Sequence, residues 1–342
     1  MSDTAPIRIN LALQGGGAHG AFTWGVLDRL LEEDNIEIAG ISGTSAGALN
    51  GAALKAGLLE RGRTGARENL DWLWRRVGNL GDMRLTAWMA PFTPAPAMVA
   101  QALEYSLPFG LADAATRVFS PYMSGPFYRN PLERVARRFH YDAVCADAGP
   151  ALFVSATNVR TGKIRVFTGH EITTDAILAS ACLPTLFRAV EIGGEAYWDG
   201  GYTGNPALFP LFDQNLPDDV VIVNINPLYR PDIPTDPRDI LNRINEVSFN
   251  SSLLRELRAI EFVQRLIDAD KIEEGAMKRV NVHMIADDEL MRGLSVASKL
   301  VPVPSVLTDL KAAGRAACET FLSEHRTKLG RQSSVDLPAM YS

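Results

Sequence analysis

"GTSAG", residues 43–47, lies between the apolar run "IEIAGIS" (36–42) and the small-residue stretch "ALNGAALKAG" (48–57). One serine stands between two glycines where a strand turns into a helix. The spacing is that of a nucleophile elbow, a strained turn that holds a hydroxyl out for chemistry. It is equally that of a tight turn in which Gly43 and Gly47 only relieve crowding between strand and helix. Choosing between the two requires a partner for Ser45, a place for negative charge and a place for substrate.

The elements on either side decide the fold class. Residues 7–13, "IRINLAL", read as a buried strand, and "QGGGAHG" (14–20) follows. A helix then runs through "AFTWGVLDRLLEED", with Trp24, Leu27, Leu30 and Leu31 at helical spacing. The second strand is 36–42, and a helix opens near Ala46. Strand–helix–strand–helix predicts an α/β fold with a mostly parallel central sheet flanked by helices. Further on, 68–77 reads as helix and 80–128 as irregular. "NPLERVARRFH" (130–140) restores a helix, with Pro131 suited to its first turn. "ALFVSATNVRTGKIRVFTG" (151–169) is a strand pair, and "TTDAILASACL" (173–183) is a helix stopped by Pro184. "AVEIGGEAYWDGGYTGNP" (189–206) is a hairpin emptying into a loop. "DDVVIVNIN" (218–226) and "RVNVHMIA" (279–286) are further buried strands. A proline-rich linker (227–237) and a helix through about 273 separate them, and a last helix spans 305–328. The expectation is one domain over 1–342. Its catalytic core would be 7–227, carrying helical insertions, and 228–342 a helical part with one further strand.

Composition narrows the class. The 342 residues are 46% hydrophobic and 22% charged, enough for a sizeable core. A net charge of −6 argues against general affinity for nucleic acid and does not favour anionic lipid, leaving apolar contact with a membrane open. Cys145, Cys182 and Cys318 are far apart and odd in number, which suggests buried thiols in a reducing compartment and not a disulfide framework. "MSDTAPIRIN" lacks the marks of a signal peptide, and no run of about 18 apolar residues occurs. A cytoplasmic protein, with at most transient contact at a membrane surface, is expected.

"QGGGAHG" satisfies G-x-G-x-x-G through Gly15, Gly17 and Gly20, after a strand and opening a helix. A dinucleotide site then needs a carboxylate at the end of the second strand to hold a ribose. That strand ends Gly40-Ile41-Ser42-Gly43-Thr44 and offers none. The loop has another use, because backbone N–H groups at a glycine turn leading into a helix can face developing negative charge.

A serine hydroxyl needs a base. His19 sits in the glycine loop, and His140, His170 and His325 have no evident relation to Ser45. His283 would complete a Ser–Asp–His order with Asp199 but lies mid-strand, which favours a structural role. Asp199 ends an apolar hairpin strand before two glycines. Asp-Gly is ordinary turn chemistry, yet a desolvated carboxylate beside Ser45 could take its proton.

Together "GGGAHG", "GTSAG" and "DGG", in that order, resemble the patatin-like phospholipase family, and the likeness covers about 7–227. The resemblance implies a three-layer fold and hydrolysis of lipid acyl esters by a serine–aspartate dyad. Ser45 would be the nucleophile, Asp199 the base, and Gly15, Gly16 and Gly17 the oxyanion donors, with Gly43 and Gly47 forming the elbow. It implies no cofactor and no metal, and the chain has no His-Glu-x-x-His motif, cysteine cluster or acidic calcium loop. The substrate would be a lipid or other acyl ester; a general carboxylesterase or acyltransferase and a non-catalytic lipid-binding protein are the alternatives. The family commonly has arginine or lysine where this loop carries His19. A neutral His19 would bond locally and a protonated one would aid an oxyanion; His19 and Gly200 are the expected modulators. In 80–128, Trp88, Met89, Phe92, Met98, Tyr105, Phe109 and Phe119 either pack on the core or cover an acyl-chain groove. The amphipathic stretch 249–267 suits core or self-association packing.

Overall fold

Period-two burial in the strands builds a core on each side of a sheet. In β1 (Ile7–Leu13), Ile9, Leu11 and Leu13 enter one apolar cluster while Ala12 enters another. In β7 (Asp219–Val223), Val221 and Val223 join the first cluster, and Val220 and Ile222 the second. A computed structural model describes residues 5–80, 120–123, 128–273 and 275–341. The expected groove residues in 81–119 and 124–127 lie outside the described residues.

β1 is central. β2 (Ile36–Thr44) and β7 flank it in parallel, with β3 (Ala151–Asn158) parallel beyond β2 and β8 (Asn281–Ile285) parallel beyond β7. Three antiparallel strands complete the sheet: β4 (Ile164–Thr168) and β6 (Glu195–Asp199) pair with β3, and β5 (Val190–Ile192) pairs with β6. One face carries α1 (Gly20–Leu30), α2 (Ala46–Leu80), α3 (Thr174–Ser180) and α5 (Pro304–His325). The other carries α4 (Pro237–Asp268) through Leu253, Leu257 and Ile260. This is the expected three-layer α/β architecture. α1 leaves β1 toward one face and α4 leaves β7 toward the other. The C-terminal ends of these two neighbours are therefore the topological switch point of the sheet, the place where open α/β sheets bind ligands.

Several boundaries differ from the pattern reading. α2 merges the helices expected from Ala46 and over 68–77, with a break at Arg61 and Gly62. The 130–140 helix shrinks to one turn, Glu133–Ala136, because the chain leaves it to bury Phe139 between Trp72 and Tyr141. α3 stops at Ser180, short of Pro184, so that the Cys182 carbonyl can accept the Asp199 N–H at 2.8 Å. Cys182 and Cys318 are buried, Cys145 is partly buried, and all three are free thiols. No helix among the described residues is long and apolar enough to cross a membrane.

His283 is fully buried in β8. Its Nε2 donates to the Asp219 carboxylate at 2.8 Å, which leaves Nδ1 to accept from the Ser334 hydroxyl at 3.1 Å. Asp219 also accepts the Gly330 N–H at 2.8 Å, so the pair ties the C-terminal segment to the sheet edge. Removing the imidazole strips a buried carboxylate of a charge-assisted bond. His283→Ala should lower unfolding free energy by about 1.5–3 kcal/mol, measured by urea denaturation; an unchanged midpoint would show that the tie carries no stability.

Candidate functional site

β2 ends at Thr44 and α2 begins at Ala46, so Ser45 alone makes the turn. Its φ is +54°, a left-handed conformation that costs a non-glycine residue about 1–3 kcal/mol. The turn is pinned from both sides: the Ser45 N–H donates to Ser180 Oγ at 2.9 Å, and the Ser45 carbonyl accepts from Leu49 N–H at 3.1 Å. Gly47 packs so closely that a Cβ there would strike the Leu13 carbonyl, and one on Gly43 would sit 2.6 Å from the Gly47 carbonyl oxygen. The glycines relieve crowding, and the serine carries the strain.

Asp199 reaches Ser45 through the register of β3. Thr44 pairs with Ser155 and Asp199 with Ala156, consecutive residues of β3. β4 occupies the opposite edge over 153–157, so β2 and the antiparallel β6 share one edge and meet C-terminus to C-terminus. The Asp199 carboxyl is only 2% exposed, accepts the Gly201 N–H at 2.7 Å and lies against the Ser45 hydroxyl. Burial pushes its pKa up to about 7, against the opposing pull of the Gly201 N–H and the Ser45 hydroxyl. The Asp199 carbonyl accepts the Thr157 hydroxyl at 2.8 Å, fixing the strand end. Gly200 packs against the Ser155 carbonyl and Thr44, where a side chain would not fit, so its place is the joint between the strand ends.

The glycine loop closes on the same point. A Cβ on Gly15 would lie 2.7 Å from Ser45 Cβ. The Gly15 N–H, expected as an oxyanion donor, donates to Asn205 Oδ1 at 2.6 Å in this structure. Among the described residues nothing accepts from the N–H groups of Gly16 and Gly17. Gly16 is extended, whereas Gly17 has φ +58° and abuts the Lys299 carbonyl. The starts of α1 and α2 converge beside the loop: a Cβ on Gly20 would lie 2.6 Å from that of Ala46. Two positive helix ends therefore lie beside Ser45. His19 is buried and bonds Ser298 Oγ at 2.8 Å. Burial, then Lys299, holds its pKa well below the usual histidine range, which favours the neutral, locally bonded imidazole over the charged form.

The family model described as "Patatin-like phospholipase" matches residues 11–212, more than half of the chain. The chain belongs to the patatin-like phospholipase family. A search of curated protein sequences gave no match. Among solved structures, VipD from Legionella pneumophila matches at 14% identity and a TM-score of 0.43, over 94% of this chain and 68% of that one. A chain of the heterodimeric ExoU–SpcU complex from the type III secretion system of Pseudomonas aeruginosa matches at 16% identity and a TM-score of 0.31, over 99% and 74%. Membership in the patatin-like family supports lipid hydrolase activity.

The pattern reading missed the buried amides that hold this patatin-like site. Gln14 Oε1 accepts the N–H groups of Ile225 (2.9 Å) and Asn226 (3.1 Å) across the switch point between β1 and β7. Its Nε2 donates to the Asn205 carbonyl and to Asn250 Oδ1. Asn226 and Asn205 both donate to the Gly15 carbonyl, at 2.8 and 3.3 Å. Ser42 and Thr44 hydroxyls bond the Ala207 and Gly204 carbonyls, so β2 also grips the loop after Asp199. "QGGG" and "GNP" contain two of these residues, but only their burial reveals the work they do.

Asp199 has a measurable cost. A carboxyl whose folded pKa is raised binds its proton more tightly in the folded state. The stability it contributes is full below pH 4, declines as pH rises, and is lost above about 7. Each pKa unit is worth about 1.36 kcal/mol. Asp199→Asn should therefore melt higher than wild type, by a wider margin at pH 8 than at pH 5. Equal margins at both pH values in thermal melts would contradict the raised pKa.

Proposed function

We propose that this patatin-like chain hydrolyses lipid acyl esters through an acyl-serine intermediate, with Ser45 as nucleophile and Asp199 as base. The observation that carries the reading is the head-on meeting of the strained Ser45 turn with a buried carboxyl whose pKa is pushed up to about 7. Such a carboxyl is basic enough to take a serine proton and acidic enough to return it.

In the proposed reaction Ser45 Oγ attacks the ester carbonyl while its proton passes to Asp199. The carbonyl π electrons move to oxygen, and the oxyanion takes the free N–H groups of Gly16 and Gly17, aided by the positive ends of α1 and α2. As the tetrahedral centre collapses, the carbon–oxygen bond to the leaving alcohol breaks and Asp199 returns its proton to the alkoxide. Water then gives a proton to Asp199 and attacks the acyl-serine. Collapse releases the fatty acid, and the proton returns to Ser45. A base must be ionised to work, so kcat/KM should rise with pH through about 7.

A fluorophosphonate probe tests the assignment. It should label wild type at Ser45 and leave Ser45→Ala unlabelled, and Asp199→Asn should cut turnover of a monomeric ester steeply while the protein stays folded. Label on another serine would sink the nucleophile, and full activity in Asp199→Asn would sink the base. A separate expectation concerns the loop. Gly17→Ala places a methyl in a left-handed position against the Lys299 carbonyl and should displace the Gly17 N–H. Loss of one well-placed donor costs about 100- to 1,000-fold in kcat, with KM little changed because the charge exists only in the transition state. A rise in KM at constant kcat would make the loop a substrate-binding element.

A further inference from the structure

α4 reverses its amphipathicity partway along. In its C-terminal half the inward positions are apolar: Leu253, Leu257 and Ile260 are buried against the sheet. In its N-terminal half the inward positions are Asn242, Glu246 and Asn250, all buried and polar. The outward positions there are Ile240, Leu241, Ile244 and Val247, of which Ile244 is 57% and Val247 52% exposed. A soluble helix normally turns its apolar stripe inward. This one does so below Asn250 and the reverse above it.

The reversal falls at a definite height. Asn250 Oδ1 accepts from Gln14 Nε2, level with the C-terminal end of β1, whereas Gln264 Nε2 donates to the Val280 carbonyl at the start of β8. α4 therefore runs down the sheet from its C-terminal edge, and residues 237–249 lie beyond that edge, packed on their inner side against the 227–230 loop. At about 1.5 Å per residue this part of the helix is roughly 20 Å long. It rises on the side where Ser45 and Asp199 lie, and Phe249 at its base packs on Tyr202 and Gly201 beside Asp199. The preceding loop widens the stripe. Arg243 Nη2 bonds the Leu228 carbonyl and Arg230 bonds Glu246, bringing Tyr229 (66% exposed) beside this turn, and Ile233 (87%) lies just before the helix. Six large exposed apolar side chains thus belong to this half of the helix and the loop before it, and exposed apolar groups gathered on one element mark an interaction surface.

Charge selects the occupant. Arg230 and Arg243 both bind Glu246, Arg230 also bonds the Arg292 carbonyl, and Asp232 and Asp239 stand nearby. The patch is close to neutral and the chain is net negative. It suits the uncharged acyl region of a zwitterionic bilayer and not an anionic surface.

We infer that the N-terminal turns of α4, with Tyr229 and Ile233, form a lipid-docking surface that seats the chain on zwitterionic membranes beside Ser45 and Asp199. The inference rests on the proposed lipid hydrolysis for its purpose, but its test does not need turnover. The chain carrying Ser45→Ala is floated with phosphatidylcholine vesicles, with and without Ile244→Glu and Val247→Glu. The double change should lower the bound fraction at least tenfold. In the chain with Ser45 intact, the same pair should leave turnover of a soluble short-chain ester within twofold, because both side chains lie on the outward face. Vesicle binding without any esterase activity would remove the proposed function and keep the docking surface. Binding that is absent in the parent chain, or unaffected by the double change, overturns the surface. So does a parent chain that elutes as a dimer and becomes a monomer on the double change, since the face would then serve self-association.

Discussion

β3 lends a single edge to two strands in turn, and the candidate site depends on it. Parallel β2 uses the edge up to Ser155, and antiparallel β6 takes it over from Ala156. Two strands on one edge running toward each other must present their ends at the same place. Ser45 follows the end of one, and Asp199 is the end of the other. Their proximity thus follows from backbone hydrogen bonds, the most rigid ties a sheet has, and not from long side chains reaching across a cleft.

Around that junction the protein tolerates two unfavourable arrangements. Ser45 occupies a left-handed conformation, and Asp199 is buried with few partners. Both persist because the surroundings over-determine them. Ser180, Leu49, Gly43 and Gly47 hold the turn, while Thr157, Cys182 and Gly201 hold the strand end. The amides of Gln14, Asn205, Asn226 and Asn250 tie together the loops that follow β1, β6 and β7 and the middle of α4. There they use most of their donors and acceptors on the glycine loop and its neighbours. A network satisfied to that degree is stiff, and it leaves Gly16 and Gly17 with their N–H groups unspent while committing that of Gly15. α4 belongs to the same system. Asn250 joins it to the amides, Glu256 accepts the Leu208 and Phe209 N–H groups, and the half above Asn250 turns apolar side chains outward.

The sequence by itself determined the class of fold and the positions at which chemistry was to be sought. Alternating and continuous apolar runs marked the strands, because burial on both faces of a parallel sheet leaves little choice of residue. "GGGAHG", "GTSAG" and "DGG" marked three turns, because close backbone approach admits only glycine at Gly43 and Gly47. What lay beyond local pattern was decided by tertiary structure. Whether Gly15 donates to substrate or to Asn205, whether His19 is charged, and that α3 ends early to let Cys182 meet Asp199 all depend on distant partners, 190 residues away for Gly15 and 279 for His19. The same holds for the inverted half of α4, whose polar residues look solvent-facing until Glu246 and Asn250 find Arg230 and Gln14. Periodicity reports which residues share a face; only the folded chain decides which face meets water, because burial is set by what packs opposite.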